Sequence, residues 1–287
     1  MINTSLYNIQ LIQLHMILHR VSKLTIHFLF LILIFSSCEP DHSINVNQTV
    51  IIIKADDLGD MTPKWEQFIS KSMENNVPVS IGIISKNMTS AATKSKAKEL
   101  AQSHNNVGQL SIQFWNHGYD HLRTNNVEEF KTPDLVYQSE HIKLSQDFFK
   151  DSLDINCDTF STPFNESSDI TFEALKSFPE IKVWMCYQLH EKQFHTSSWV
   201  NPNWNIIGVG QNQILLDIKC ESVLHVPSKS VKMILEKNKH LPYLIIQIHP
   251  NTWNDQEFQD YQALLDYLKE KKMIFMTPQE YYRFLKE

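Results

Sequence analysis

The segment Thr49-Val50-Ile51-Ile52-Ile53-Lys54-Ala55-Asp56-Asp57 sets the reading of the whole chain. Its apolar run suits a strand buried on both faces, and polar groups return at its end as two adjacent carboxylates. The construction recurs three times. Leu110-Ser111-Ile112-Gln113-Phe114-Trp115-Asn116 leads into His117-Gly118-Tyr119-Asp120-His121. Cys157-Asp158-Thr159-Phe160-Ser161 leads into Thr162-Pro163-Phe164-Asn165, and Tyr243-Leu244-Ile245-Ile246-Gln247-Ile248 into His249-Pro250. Parallel strands align their exits on one face, so these motifs can meet although they are far apart in the chain. Two carboxylates and three imidazoles at one mouth point to metal-assisted hydrolysis.

Between these runs, strand-like and helix-like segments alternate. Pro63–Glu74 reads as a helix with proline in its first turn, and a long helix opens after Thr132-Pro133-Asp134. The βαβα order predicts a parallel sheet in an α/β domain, a distorted (β/α) barrel of about seven parallel strands. Residues 189–205 carry no periodic pattern and read as loop.

The N-terminus is of another kind. Leu24–Ser37 is a short apolar run preceded by His19, Arg20 and Lys23 and followed by Cys38. That order of basic, apolar and small residues is that of a secretory signal, and the run is shorter than the roughly 18–20 residues that span a bilayer. Phe35-Ser36-Ser37-Cys38 resembles a bacterial lipobox, which implies lipidation of Cys38 and an exported, membrane-anchored lipoprotein of the cell envelope. Residues 1–38 are therefore read as signal peptide, 39–48 as linker and 49–287 as the barrel domain. Six glycines and no internal repeat fit one domain. A formal net charge of −6 gives no basic footprint for nucleic acid. Cys157, Cys186 and Cys220 form no CxxC pair, so a cysteine-rich zinc site is not expected; they read as small buried apolar residues.

Each polar motif has a structural alternative. Asp56-Asp57 after a strand can cap a helix, yet two adjacent carboxylates on a turn can also divide between a cation and a proton. His117 and His121 stand four apart, which on a helical turn places both imidazoles on one face; with Asp57 they make a two-histidine, one-carboxylate set. His249 suits a general acid near neutral pH. Trp253 can wall a sugar face or pack in the core. A backbone amide after Pro163 can donate to an oxyanion.

In this order, Ala55-Asp56-Asp57, His117-Gly118-Tyr119-Asp120-His121 and His249-Pro250-Asn251-Thr252-Trp253 resemble the motifs of the polysaccharide deacetylase (NodB-homology, carbohydrate esterase family 4) superfamily, in an uncharacterised secreted branch. The resemblance spans residue 49 to the C-terminus. It implies a NodB-like barrel, a divalent metal, most often Zn2+, held by Asp57, His117 and His121, Asp56 as general base and His249 as general acid. It places the substrate against Pro163, Phe164, Asn165 and Trp253, with the Phe164 amide stabilising the oxyanion. The implied activity is N-deacetylation of a cell-surface or extracellular polysaccharide. Two positions depart from the pattern. Ser161 stands where the family has an arginine that orients the base, and no tryptophan-aspartate pair is evident beside the acid histidine; Asp217 is the candidate for that second-shell place. Those departures leave open a catalytically degenerate glycan-binding lipoprotein, or a metallohydrolase of another amide or ester.

Overall fold

The structure, a computed structural model, describes residues 49–124, 127–186, 200–201, 206–210, 213–217, 232–233, 235–236 and 241–286. The proposed signal segment, the lipobox with Cys38, the linker, Cys220 and nearly all of 189–205 lie outside the described residues. Among the described residues no helix is long and apolar enough to cross a membrane.

Strand β1 (Val50–Leu58) is the centre of the architecture. It pairs in parallel with β11 (Tyr243–Ile248) on one side and β2 (Val79–Ile83) on the other. The sheet continues through β3 (Ile112–Asn116), β6 (Thr159–Phe160), β7 (Val183–Cys186) and β10 (Gln213–Asp217). These seven parallel strands curl into a half-barrel with helices on the outside, the distorted NodB-like (β/α) barrel expected. Two further strands, β9 (Ile206–Gly210) and β8 (Val200–Asn201), continue the sheet in antiparallel fashion, and a short β12 (Ile274–Phe275) pairs with β1. The antiparallel β9 adds to the seven parallel strands: a short β9–β10 connection can only reverse direction, because a parallel return needs a crossover. A small hairpin, β4 (Arg123–Thr124) with β5 (Val127–Glu128), was not foreseen, since two-residue strands carry no period.

The helices sit where their capping chemistry puts them. Helix α1 (Pro63–Glu74) starts after Thr62, whose side chain accepts from the Trp65 amide, with proline at the first position. Helices α2 (Ala91–Leu100), α3 (Leu135–Phe148) and α4 (Asp169–Leu175) follow. Helices α5 (Asp255–Glu270) and α6 (Pro278–Phe284) open with capping boxes, Asn254 with Glu257 and Thr277 with Glu280.

Side chains of β1 alternate between two interiors. Ile51, Ile53 and Ala55 pack outward against Trp65, Phe68 and Leu264 in the layer between sheet and helices. Complete burial of each such side chain contributes about 1.5–3 kcal/mol. The alternate residues, including Lys54 and Asp56, point into the barrel. Trp115 on β3 occupies that interior because its neighbour on β2 is Gly82: a Cβ there would lie 2.4 Å from the indole. Cys157 and Cys186 are buried, as expected of small apolar residues, and neither is in a disulfide.

Candidate metal centre

Neighbouring residues on a regular strand face opposite ways, so Asp56 and Asp57 should not serve one site. The end of β1 breaks that rule. Its register with β2 shifts between Ala55 and Leu58, and Asp57 takes a left-handed φ of 72°. The bulge turns the second carboxylate back beside the first. Both then reach one imidazole: His117 Nε2 lies 3.1 Å from Asp57 Oδ1 and 3.9 Å from Asp56 Oδ2.

His117 follows β3 directly and its amide donates to the Ile83 carbonyl, which continues the ladder and fixes the backbone. His121 arrives by a loop, not by the helical turn expected from the four-residue spacing. Gly118 (φ 78°) and His121 (φ 54°) are both left-handed, which no helix accommodates. The loop is held by Glu129, a buried residue that the sequence reading missed. One of its carboxylate oxygens accepts from the Tyr119 amide at 2.7 Å, the other from the His121 amide at 2.9 Å. The close packing excludes any side chain at residue 118, where a Cβ would sit 2.7 Å from Glu129 Oε2 and 2.8 Å from Pro163. His121 Nε2 is thereby brought to 3.0 Å from Asp57 Oδ1.

The donor set fits a cation on the following ground. His117 Nδ1 lies 3.0 Å from the Ser161 carbonyl oxygen, which can only accept, so Nδ1 carries the ring proton. In the neutral ring, Nε2 then presents a lone pair to the Asp57 carboxylate, acceptor against acceptor. Such an arrangement is favourable only with a positive charge between the two, and it is how a backbone carbonyl orients a metal-binding histidine. The ligand atoms of Asp57, His117 and His121 all lie within 4.8 Å of one another. This is a possible two-histidine, one-carboxylate metal site with positions left for water and substrate.

His249, just past β11, faces the same point from the far side: Nε2 lies 3.7 Å from Asp57 Oδ2 and 4.0 Å from Asp56 Oδ2. Its Nδ1 is buried and has no hydrogen-bond partner among the described residues. Asp217 ends β10 opposite Cys186 of β7; its side chain lies outside the described residues. Ser161 supplies its carbonyl to His117, while its buried hydroxyl finds no partner among the described residues.

Pro163, Phe164 and Asn165 form a single 3₁₀ turn beside the histidines, with left-handed φ values of 57° at Phe164 and Asn165. The Phe164 ring packs on His121 at 4.1 Å between centroids and carries the Arg123 guanidinium 4.5 Å above it. Trp253 is a correction. It is wholly buried among Phe68, Phe258 and Tyr261 in the helix-facing layer, so it forms no wall for substrate. An aromatic five residues past the end of β11 returns to the sheet as the chain enters α5, and apolar area decides its place.

The remaining unforeseen residue is Lys54. Its ammonium is entirely buried, lies 2.7 and 2.5 Å from the two oxygens of Asp56, and sits 4.8 Å over the Trp115 ring. Burial pushes its pKa below the ordinary lysine value against the pull of Asp56. A single lysine inside an otherwise apolar strand, two residues before an aspartate, was the available signal.

No protein-family model matches the chain, and no curated protein sequence is significantly similar to it. Solved structures are. The carbohydrate esterase family 4 domain of a multidomain xylanase from the hindgut metagenome of Trinervitermes trinervoides superposes with a TM-score of 0.54 at 15% identity, over 82% of this chain and 90% of that one. A family 4 acetyl xylan esterase from Clostridium thermocellum, solved with a cobalt ion, gives 0.54 at 12% identity, over 82% and 91%. A family 4 pseudoenzyme from Bacillus anthracis gives 0.52 at 11% identity, over 82% and 66%. The chain therefore has the NodB-like fold of the family 4 carbohydrate esterases.

Proposed function

We propose that the chain is a divalent-metal-dependent hydrolase that removes acetyl groups from an N-acetylated polysaccharide. One observation carries this reading: His117, its Nδ1 proton held by the Ser161 carbonyl, turns Nε2 to the Asp57 carboxylate that His121 also reaches, with a separate carboxylate (Asp56) and a separate imidazole (His249) beside them. Asp57, His117 and His121 would hold the ion, and zinc suits two imidazoles and a carboxylate. When bound, such an ion polarises a carbonyl and acidifies water.

This chain's residues supply the rest. Asp56 takes a proton from the attacking water, and His249 delivers one to the departing amine, the division of labour that amide hydrolysis requires. The Phe164 amide, on a strained turn beside His121, donates to the developing oxyanion. Substrate enters along the rim formed by Pro163, Phe164 and Asn165. The signal-like run Leu24–Ser37 and the lipobox cysteine Cys38 support an exported, lipid-anchored enzyme of the cell envelope. Cys38→Ala should abolish incorporation of labelled palmitate.

The test joins metal content to acetate release from N-acetylated oligosaccharides. About one equivalent of zinc on the purified protein and acetate release that chelation stops would support the reading. Zinc binding with glycan binding but no release would favour the non-catalytic alternative, which the serine at 161 and a His249 Nδ1 without a partner among the described residues motivate. Release from another amide or ester alone would change the bond and keep the chemistry.

A further inference from the structure

Lys54 is the only lysine or arginine buried among the described residues, and nothing in the catalytic scheme uses it. Residues i and i+2 of a strand share a face, so its ammonium lies directly beneath Asp56 and occupies both carboxylate oxygens. Stability does not explain it. Burying an ammonium is unfavourable, and buried ion pairs are commonly replaced by apolar residues with no loss of fold. What Lys54 changes is Asp56. Two adjacent carboxylates lie 3.1 and 3.9 Å from the same His117 nitrogen, and either could serve as the oxygen ligand of one ion.

We propose that Lys54 is a positioning residue that sorts the tandem aspartates: by engaging both oxygens of Asp56 it keeps that carboxylate out of the metal's ligand set and leaves Asp57 in it. The Trp115 face below the ammonium confines it to this position. The inference rests on the metal site proposed above.

Lys54→Met keeps an unbranched side chain, one atom shorter, and removes its charge. Zinc affinity by competition titration, a crystal structure of the zinc-loaded variant, and kcat and KM for acetate release are compared with the unmutated protein. The expected result is zinc bound at least as tightly, the Asp56 carboxylate moved onto the ion, and kcat reduced about 10–100-fold at unchanged KM. A purely structural role would instead lower zinc affinity, thermal stability and activity together. That outcome, or an Asp56 that keeps its position, overturns the proposal. If Lys54→Met does not fold, Lys54→Gln, which can still donate to one Asp56 oxygen, gives the same readouts. Failure of unmutated protein to bind zinc would end the metal reading itself. Zinc without acetate release would end only the catalytic reading, and affinity and structure would still decide the role of Lys54.

Discussion

Two groups of three metal-capable side chains share the loop that follows β3. Asp57, His117 and His121 form one; Asp120, Glu129 and His141 form the other, and in both the ligand atoms lie within 4.8 Å of one another. Composition and spacing do not separate them, but proton bookkeeping does. In the second group donors meet acceptors throughout. Glu129 accepts from the amides of Tyr119 and His121 and lies 2.8 Å from His141 Nδ1; Asp120 accepts from the Leu122 amide. In the first, a neutral His117 ring uses its one proton on the Ser161 carbonyl, which leaves Nε2 to face the Asp57 carboxylate with a lone pair. The second group is a finished hydrogen-bond network that clamps the loop, whereas the first still calls for a positive charge between His117 and Asp57, which a cation or a second ring proton supplies. A list of nearby ligating residues is therefore a weak criterion; the test is whether their hydrogen bonds are already made.

The largest effect that this contrast predicts is on metal content. His117→Ala should reduce bound zinc from about one equivalent to none and abolish hydrolysis, while Asp120→Asn should leave stoichiometry unchanged. Elemental mass spectrometry on both variants checks it, and a metal lost from Asp120→Asn would reverse the assignment of the two groups. Next, Asp56→Asn should retain zinc and lose about 10²–10⁴-fold in kcat, the usual worth of a general base. Parallel metal and rate measurements decide it, since a metal-free variant would put Asp56 among the ligands.

Glu129→Ala removes the clamp rather than a ligand. Zinc affinity should fall by about 10–100-fold, as for other groups that orient metal ligands, with partial binding at high zinc. Competition titration reads this out, and unchanged affinity would mean that the loop holds its left-handed turns without Glu129. The smallest effect should come from Trp253→Phe. A stability loss of about 1–3 kcal/mol by denaturant unfolding, with KM unchanged, would follow from its place in the helix-facing layer. A raised KM would return Trp253 to the substrate site.

Much of this was legible because it is local. Apolar runs of strand length mark β1, β3 and β11, and Thr62-Pro63 marks the start of α1 to the residue. The order of the four polar exits, read with the parallel sheet, is enough to bring Asp56, Asp57, His117, His121 and His249 to one end of the barrel. The helical reading of His117–His121 failed because Gly118 and His121 sit in left-handed backbone held by a carboxylate eight residues away from His121, and no short-range pattern reports such a contact. Trp253 failed because an aromatic near a site has the same local sequence whether it faces sugar or core.

The sequence alone determined which strands form, that they run parallel, and which polar residues stand at their ends, since these depend on period, capping and chain direction. Only the tertiary structure decided how those residues are set against one another. The bulge at Asp57 turns two neighbouring carboxylates toward one point. The buried Lys54 occupies one of them, and Glu129 spends its oxygens on backbone amides and not on an ion. Each of these is a competition among groups distant in the chain for a few protons and charges, and such competition is settled by geometry in three dimensions.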